Sequence, residues 1–201
     1  MEAALGVKIS QQQVPGATPL DPDEQAGLIP KHLTLKRELD EFEQANILEA
    51  EAWASRRRSR NVLSEAYVRE LHKRMLKKTW KWAGTFRTTE KSIGVDPARI
   101  AVDLRNLLED VKAWQEFGTY PLEEQAVRLH HKLVLIHPFP NGNGRHARLL
   151  TECFLRFHGA EPFTWGSASL NHASDTRSAY ISALQAADNH DLAPLLQFVR
   201  T

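Results

Sequence analysis

One twelve-residue segment, residues 137–148, constrains this chain more than any other part of it. It has the sequence HPFPNGNGRHAR and directly follows an apolar run at 133–136. Its two prolines exclude a regular helix, and Gly142 and Gly144 permit positive φ and the close approach of a ligand. A helical pattern resumes at Arg145. The segment therefore predicts a turn with free backbone amides at a helix N-terminus, which suits an anion such as phosphate.

Three side chains in this segment suit phosphate chemistry. Arg145 and Arg148 are three residues apart, so they project from one face of the predicted helix, and two guanidinium groups over an amide-lined turn suit a di- or triphosphate. His137 lies between a buried-looking helix and this turn. Because its ordinary pKa is near neutrality, it is a candidate general base. The alternative is a loop between two core helices with a structural histidine and surface arginines.

The segment resembles the signature of Fic-domain proteins, His-Pro-Phe-x-Asp/Glu-Gly-Asn-Gly-Arg-x-x-Arg, and departs from it at one fixed position, Asn141. The resemblance implies an adenylyltransferase. His137 would take the proton of a hydroxyl on a target protein, whose oxygen attacks the α-phosphate of ATP, and pyrophosphate would leave. Arg145 would grip the β- or γ-phosphate and Arg148 the γ-phosphate. The other residues that the resemblance assigns to the phosphate site are Gly142, Asn143 and Gly144.

The departure at Asn141 concerns the metal. In the family, the acidic residue at this position holds Mg²⁺, which bridges the phosphates. An amide oxygen can ligate a hard cation but adds no negative charge, so we expect a weaker or altered transfer, with Mg²⁺, Mn²⁺ or another nucleotide donor. Three functions stay open: AMP transfer, another phosphotransfer such as phosphate transfer or removal of AMP, and a catalytically silent module that binds a nucleotide or a partner.

A helix near the N-terminus has two candidates for an inhibitory glutamate. Many Fic proteins carry the pattern Ser/Thr-x-x-x-Glu-Gly/Asn, whose glutamate pairs with the second arginine of the signature and blocks the γ-phosphate. Residues 34–39, TLKREL, match this pattern except at Leu39, which makes Glu38 one candidate. Glu43 is the other, because its neighbours at 42–46, FEQAN, resemble the setting of this glutamate in other members. A capped, charged helix explains the same residues without inhibition.

Hydrophobic periodicity predicts an all-α fold of about seven or eight helices. The clearest amphipathic face is formed by Ile100, Leu104, Leu107, Leu108, Val111 and Trp114. Residues 1–30 carry glutamines and prolines without periodicity, which predicts an extended or loosely docked N-terminal arm. The Fic-type domain is therefore expected to cover residues 31–201, with Thr34 as the N-cap of its first helix.

Residues 80–95 interrupt the helical pattern. They are aromatic, rich in threonine and punctuated by glycine, which predicts a short β-hairpin or an extended flap. The resemblance implies that this element lies beside the active site and aligns the target side chain, through Thr88, Ile93 and Gly94. Tyr180, on a later helix, and the flap near Ile93 are candidates for adenine contacts.

Composition limits the partners and the compartment. The 201 residues have a net charge of +1, so bulk charge does not favour nucleic acid or a membrane. A basic run at 56–60 is better explained as a helix C-terminus than as a DNA site. No apolar run reaches transmembrane length, no signal peptide is recognisable, and the single Cys153 cannot form a disulfide within the chain. A cytoplasmic location is expected.

Three further histidines raise the question of a metal cluster. They are His130, His131 and His146. Side chains at adjacent positions of a helix point in different directions, so a surface or core role for these histidines is favoured over metal binding.

From about residue 18 to residue 198 the chain also resembles a narrower group, mobile mystery protein B. The shared stretches include 18–21, 43–47, 80–84 and the Asn-Gly-Asn-Gly core. Members of the group are bacterial and travel on mobile elements with a helix-turn-helix partner protein. The resemblance implies a toxin-like or regulatory role. It also implies that asparagine at position 141 is usual in this subgroup.

Overall fold

The computed structural model describes residues 19–33, 35–56, 61–167 and 173–201. The predicted N-cap Thr34, residues 57–60 of the basic run and residues 1–18 of the predicted arm lie outside these ranges. Among the helices of the described ranges, none is long and apolar enough to cross a membrane.

Helices make up the regular structure of these ranges. They are α1 (Pro22–Ala26), α2 (Lys36–Arg56), α3 (Glu65–Leu76), α4 (Ile100–Phe117), α5 (Leu122–Ile136), α6 (Asn143–Phe157), α7 (Ala173–Asp188) and α8 (Ala193–Phe198). A 3-10 turn at Pro97–Arg99 leads into α4. The described residues contain no β-strand, and an isolated bridge joins Leu28 to Trp80. The all-α prediction is confirmed.

Helices α5 and α6 lie at the centre of the fold. They are joined by residues 137–142, called the signature turn from here on. Helix α5 packs on α4 and α6, and α2 packs on α3. The facing side chains are buried at Leu129 and Leu133 of α5 and at Leu150 and Phe154 of α6. Each pair is four residues apart, on one helix face. Burial of these large apolar groups on both sides fixes the two helix ends that the turn connects.

Of the two alternatives for residues 80–95, the β-hairpin was wrong and the extended flap agrees with the structure. Residues 85–96, called the flap from here on, are extended or bent and do not pair as strands. The guanidinium of Arg87 donates hydrogen bonds to the carbonyls of Thr89 and Val95, which lie on the two legs of the flap. A side chain thus makes the cross-links that backbone groups would make in a hairpin, and the sequence pattern does not distinguish the two.

The described part of the predicted arm, residues 19–30, contains α1 and docks on the flap. The ammonium of Lys91 lies 2.7 Å from Asp21 Oδ2 and 2.6 Å from Glu24 Oε2, and the Lys91 side chain is 3% exposed. The Thr89 hydroxyl donates to Glu24 Oε1 at 3.0 Å. Ion pairs between residues so distant in the chain leave no periodic signal, which is why the sequence predicted an extended or loosely docked segment.

Candidate functional site

The signature turn is bracketed by two residues in the left-handed conformation. His137 follows α5 with φ 52° and ψ 58°, and its N–H donates to the Leu133 carbonyl at 3.2 Å. Gly142 precedes α6 with φ 79°. Positive φ is uncommon for a residue with a side chain. At His137 it turns the backbone sharply away from the axis of α5, and the side chain is 6% exposed.

Asn143 braces this turn from the inside. Its buried side chain accepts a hydrogen bond from the Phe139 N–H at 2.9 Å and donates one to the Phe139 carbonyl at 2.8 Å. The resemblance assigned Asn143 to the phosphate site. Because the side-chain amide is bonded to the turn, its contribution to an anion would come from its backbone N–H, in the first turn of α6.

Replacing Asn143 with alanine is expected to destabilise the fold. The cost should be about 1–3 kcal/mol for each of the two buried Phe139 groups left without a partner. Chemical denaturation measures it. Asn189→Ala is the matched control, because its exposed amide donates to the Gln185 carbonyl at a helix end, and it should change stability by no more than about 0.5 kcal/mol. Equal losses in both variants would contradict the bracing role.

His72 of α3 connects the same turn to the residue just before the flap. Its ring is fully buried and stacks on Phe139 with centroids 3.7 Å apart. Because Nδ1 accepts from the Gly84 N–H at 2.9 Å, the proton of the neutral ring is on Nε2, which donates to the Asn141 carbonyl at 3.0 Å. Burial holds the pKa of His72 well below its ordinary value. A lone histidine on an apolar helix face gave no signal in the sequence.

His137 is neutral at pH 7. Burial is the main cause, followed by the cation of Arg87, and together with the more weakly acting Lys91 they lower the pKa of His137 from 6.5 to about 4. An unprotonated imidazole is the form that can accept a proton, which a general base must do. The candidate base is therefore in its active form over the physiological pH range.

The flap passes directly against His137 at Gly94. A Cβ at this position would lie 2.7 Å from the His137 Cβ and 2.6 Å from a terminal nitrogen of Arg87, and Gly94 has φ 115°. No residue with a side chain fits there without displacing one of these two groups. Of the other two predicted flap residues, Ile93 is 47% exposed and Thr88 is exposed as well.

Helix α2 brings Glu43 to the first arginine of the signature. Glu43 Oε2 lies 2.7 Å from Arg145 Nη2, and Glu43 Oε1 accepts from the Trp80 indole N–H at 2.6 Å. Glu43 is buried, whereas a third of the Arg145 side chain is exposed. The resemblance implied an inhibitory contact with the second arginine, Arg148. In the structure Glu43 contacts Arg145. The hydrogen bond from the Trp80 indole to Glu43 could not be predicted from the sequence.

Glu38, the other inhibitory candidate, lies in the first turn of α2. Its Oε2 accepts a hydrogen bond from the Leu35 N–H at 3.3 Å. This contact satisfies one of the amides that a helix leaves unbonded at its N-terminus. The geometry of Glu38 is therefore that of a helix cap.

Arg148 lies beside Tyr180 of α7. Its guanidinium carbon is 5.5 Å from the centre of the Tyr180 ring, and its Nε donates to the Gly144 carbonyl at 3.4 Å. The Tyr180 hydroxyl is 2.9 Å from His130 Nε2. Burial lowers the pKa of Arg148 and raises that of Tyr180 to about 12. At pH 7 the pair is thus a cation over a neutral phenol ring.

Asn141 directs its amide oxygen back toward the turn, where Oδ1 accepts from the Gly142 N–H at 2.6 Å. The residue is half-buried. Across residues 19–33, 35–56, 61–167 and 173–201, no three His, Cys, Asp or Glu side chains are grouped to hold a metal ion. One amide oxygen fits a hard cation whose other ligands are phosphate oxygens and water, as in nucleotide-bound Mg²⁺.

The three histidines considered for a metal cluster have separate partners. His130 bonds the hydroxyl of Tyr180, His131 Nε2 lies 2.7 Å from Asp188 Oδ1, and His146 Nε2 donates to the Val68 carbonyl at 2.9 Å. Their positions agree with roles in packing and helix contacts.

Residues 62–155 match the sequence model of the Fic/DOC family. The chain contains a Fic/DOC domain. The matched range includes α3, the flap, α4, α5 and the signature turn, and it ends within α6. Helix α2, with Glu43, precedes it.

Curated relatives of this Fic domain are protein adenylyltransferases. Fic-1 of Caenorhabditis elegans is 31% identical over 137 residues, which are 66% of this chain and 25% of that protein. Fic of Culex quinquefasciatus is 33% identical over 120 residues, which are 58% of this chain and 22% of that protein. The chain therefore spans about a quarter of the length of the curated relatives that it matches.

Solved structures of Fic proteins share the fold. A segment of Caenorhabditis elegans Fic-1 superposes with a TM-score of 0.58 at 28% identity, covering 79% of this chain and 47% of that one. BepC of Bartonella tribocorum, with bound AMPPNP, superposes with a TM-score of 0.69 at 17% identity, covering 89% and 98%. The second likeness is one of fold alone.

Proposed function

We propose that this chain transfers AMP from ATP to a hydroxyl side chain of a target protein. One observation carries the proposal: a neutral, buried His137 lies at the end of α5, against Gly94 of the flap and a short turn away from the N-terminus of α6. A proton acceptor, a segment that can guide a target and a seat for phosphates therefore adjoin one another. The names of the curated relatives support the same reaction.

In the proposed reaction, His137 accepts the proton of the target hydroxyl while the hydroxyl oxygen attacks the α-phosphorus of ATP. The bond from the α-phosphorus to the oxygen that bridges it to the β-phosphorus breaks, and that oxygen leaves with the electron pair as part of pyrophosphate. Phosphate binding is assigned to the backbone of Gly142, Asn143 and Gly144 and to the side chains of Arg145 and Arg148. These groups stabilise charge that develops on the phosphate oxygens.

A divalent cation, Mg²⁺ or Mn²⁺, carried by the nucleotide would supply further charge neutralisation as pyrophosphate leaves. Asn141 is the residue that would hold it. Its Oδ1 would exchange the bond from the Gly142 N–H for the cation, and it brings no negative charge to the site.

Replacing Asn141 with aspartate is expected to raise the affinity for Mg²⁺–ATP and the rate of AMP transfer, each about tenfold, because a charged ligand binds a hard cation more strongly than an amide. Calorimetric titration with ATP, in Mg²⁺ and in chelator, separates the metal effect from nucleotide binding. Asn189→Asp, which adds the same charge at an exposed helix end, is the control. A gain that persists in chelator would contradict a metal role.

The second candidate function is nucleotide binding without transfer. Two observations favour it: the amide at Asn141, and the contact of Glu43 with Arg145. Parallel reactions with α-labelled and γ-labelled ATP separate the candidates. Label on protein from the α-position alone supports AMP transfer, and label from the γ-position alone supports phosphate transfer. If ATP binds to wild type and to Glu43→Gly but neither label is transferred, nucleotide binding without transfer becomes the better supported function.

We further propose that the chain is a bacterial, cytoplasmic, toxin-like protein of the mobile mystery protein B type, in which α1, docked on the flap, belongs to the functional unit together with residues 31–201. Support comes from the stretches at 43–47 and 80–84 and from Asn141. The expected partner is a helix-turn-helix protein encoded nearby. Co-expression of the two tests the pairing: a partner that neither co-purifies with the chain nor changes its transfer activity would remove it.

A further inference from the structure

Arg87 holds an unusual position for a cation. Its side chain is 3% exposed, and its guanidinium donates to four backbone carbonyls. Nε donates to the His137 carbonyl at 2.7 Å and Nη1 to the Thr89 carbonyl at 2.8 Å. Nη2 donates to the carbonyls of Val95 and Ile136. Two of these carbonyls belong to the flap, and the other two are at the end of α5.

Backbone bonds join the same two segments. The Arg87 N–H donates to the Pro138 carbonyl at 2.9 Å, and the Val95 N–H donates to the Ile136 carbonyl at 3.4 Å. The guanidinium lies between these bonds, in a fork geometry that can satisfy several carbonyls at once. No ammonium group could reach the same set, because it presents its donors around a single nitrogen.

We propose that Arg87 is a positioning residue for His137, which fixes the left-handed backbone of His137 and orders the flap against its side chain. The inference rests on the proposed function, in which His137 is the base. Arg87 acts through His137 and the flap and has no assigned contact with the substrate. The sequence pattern of residues 80–95 gave Arg87 no role.

The charge of Arg87 matters as well as its shape. Arg87 and Lys91, both on the flap, are the charged groups that act on His137, and both disfavour its imidazolium form. Lys91 is paired with Asp21 and Glu24, so its charge is partly balanced. Arg87 hydrogen-bonds neutral carbonyls, and the carboxylates of Glu24, Asp96 and Glu90 act on its charge through space.

Gly94 lies in close contact with both Arg87 and His137. A side chain there would meet both Arg87 and His137 at less than 3 Å. The backbone of Gly94 is therefore packed closely against the Arg87 guanidinium and the His137 Cβ. The packing of Gly94 against Arg87 and His137 is a second observation, besides the four carbonyl bonds, that couples Arg87 to His137.

Two substitutions separate the effect of the forked guanidinium donors from the effect of the positive charge. Arg87→Lys keeps the charge but loses the forked donors, and Arg87→Gln loses the charge as well as the forked donors. Arg105→Gln, at an exposed position on α4, is the control. Nuclear magnetic resonance follows the imidazole and backbone signals of His137, which are assigned from their absence in His137→Gln, and kcat and KM for ATP are measured in the transfer assay.

In Arg87→Gln we expect the pKa of His137 to rise by about one unit or more, because a nearby like charge is removed. In Arg87→Lys we expect the imidazole to stay neutral to the same pH as in wild type, while the backbone signals of His137 and Gly94 move. For Arg87→Lys, kcat should fall about tenfold or more with little change in KM, as misplacement of a catalytic group predicts. Arg105→Gln should match wild type in every measurement.

The proposal is overturned if the His137 signals and pKa are unchanged in both variants, or if kcat and KM follow only the fraction of folded protein. Should Arg87→Gln not fold, Arg87→Lys decides alone, since its expected signature is a shifted His137 backbone with an unshifted titration. The resonance measurements do not require turnover. A wild type without AMP transfer would therefore reject the proposed function and still leave the coupling of Arg87 to His137 open to measurement.

Discussion

Replacing His137 with alanine is expected to lower AMP transfer by about 10²–10⁴-fold, the usual contribution of a positioned general base. The loss should fall on kcat, because the groups assigned to the phosphates, Arg145 and Arg148 with the start of α6, are left in place. Transfer of α-label from ATP to protein measures the rate, and calorimetry measures nucleotide affinity. A variant that loses ATP binding in proportion to activity would contradict the role of a base.

The pH dependence gives a second test of the same residue. The pKa of His137 is lowered to about 4, so the neutral form, which accepts the proton, is already complete at pH 6. Transfer limited by this base should be nearly flat from pH 6 to pH 8 and should fall as pH drops toward 4. A rate that increases through pH 6.5, the ordinary value for histidine, would show that His137 titrates unperturbed.

Replacing Glu43 with glycine is expected to raise nucleotide affinity and transfer about 10- to 100-fold. The carboxylate occupies a terminal nitrogen of Arg145 that is assigned to the β- or γ-phosphate. A hydrogen bond to a charged group contributes about 1.5–3 kcal/mol, which corresponds to that range of affinity. Release of Arg145 is the proposed origin of the gain, and Glu43 is therefore the proposed inhibitory residue.

Two comparisons make this prediction specific. Glu43→Gln keeps an acceptor for the Trp80 indole and the helical propensity of α2 but removes the charge, so it should reproduce most of the gain. Glu38→Gly alters the cap of the same helix and should leave affinity for ATP unchanged. If both Glu43 variants bind and turn over ATP as wild type does, the pair with Arg145 is a structural clamp between α2 and α6.

The parts of the site that lie close together in the chain could be predicted from the sequence. The signature segment is contiguous, and its histidine, glycines and arginines are recognisable without any knowledge of the fold. The helices could be predicted for a similar reason, because an amphipathic helix repeats its apolar positions every three or four residues. Glu43 was identified from its local setting, although the structure pairs it with Arg145 and not with the second arginine.

The groups that support the site could not be predicted, because their partners are remote. Arg87 bonds carbonyls at 136 and 137, His72 bonds the carbonyl at 141, and Trp80 bonds Glu43. None of these contacts leaves a periodic pattern in the sequence. The same holds for the hairpin alternative: an aromatic and threonine-rich sequence favours strands, but in the structure the Arg87 guanidinium cross-links the two legs of the flap and joins them to the end of α5.

The ion pairs of Lys91 have a consequence for how the protein folds. Its partners Asp21 and Glu24 are 70 and 67 positions earlier in the chain, and the carbonyl that Arg87 binds is 50 positions later. Contacts of such separation form late, since closing long loops costs entropy before any bond forms. Protection of the flap amides against hydrogen exchange should therefore arise last during refolding, so that in a partly folded chain the flap is not yet ordered against His137.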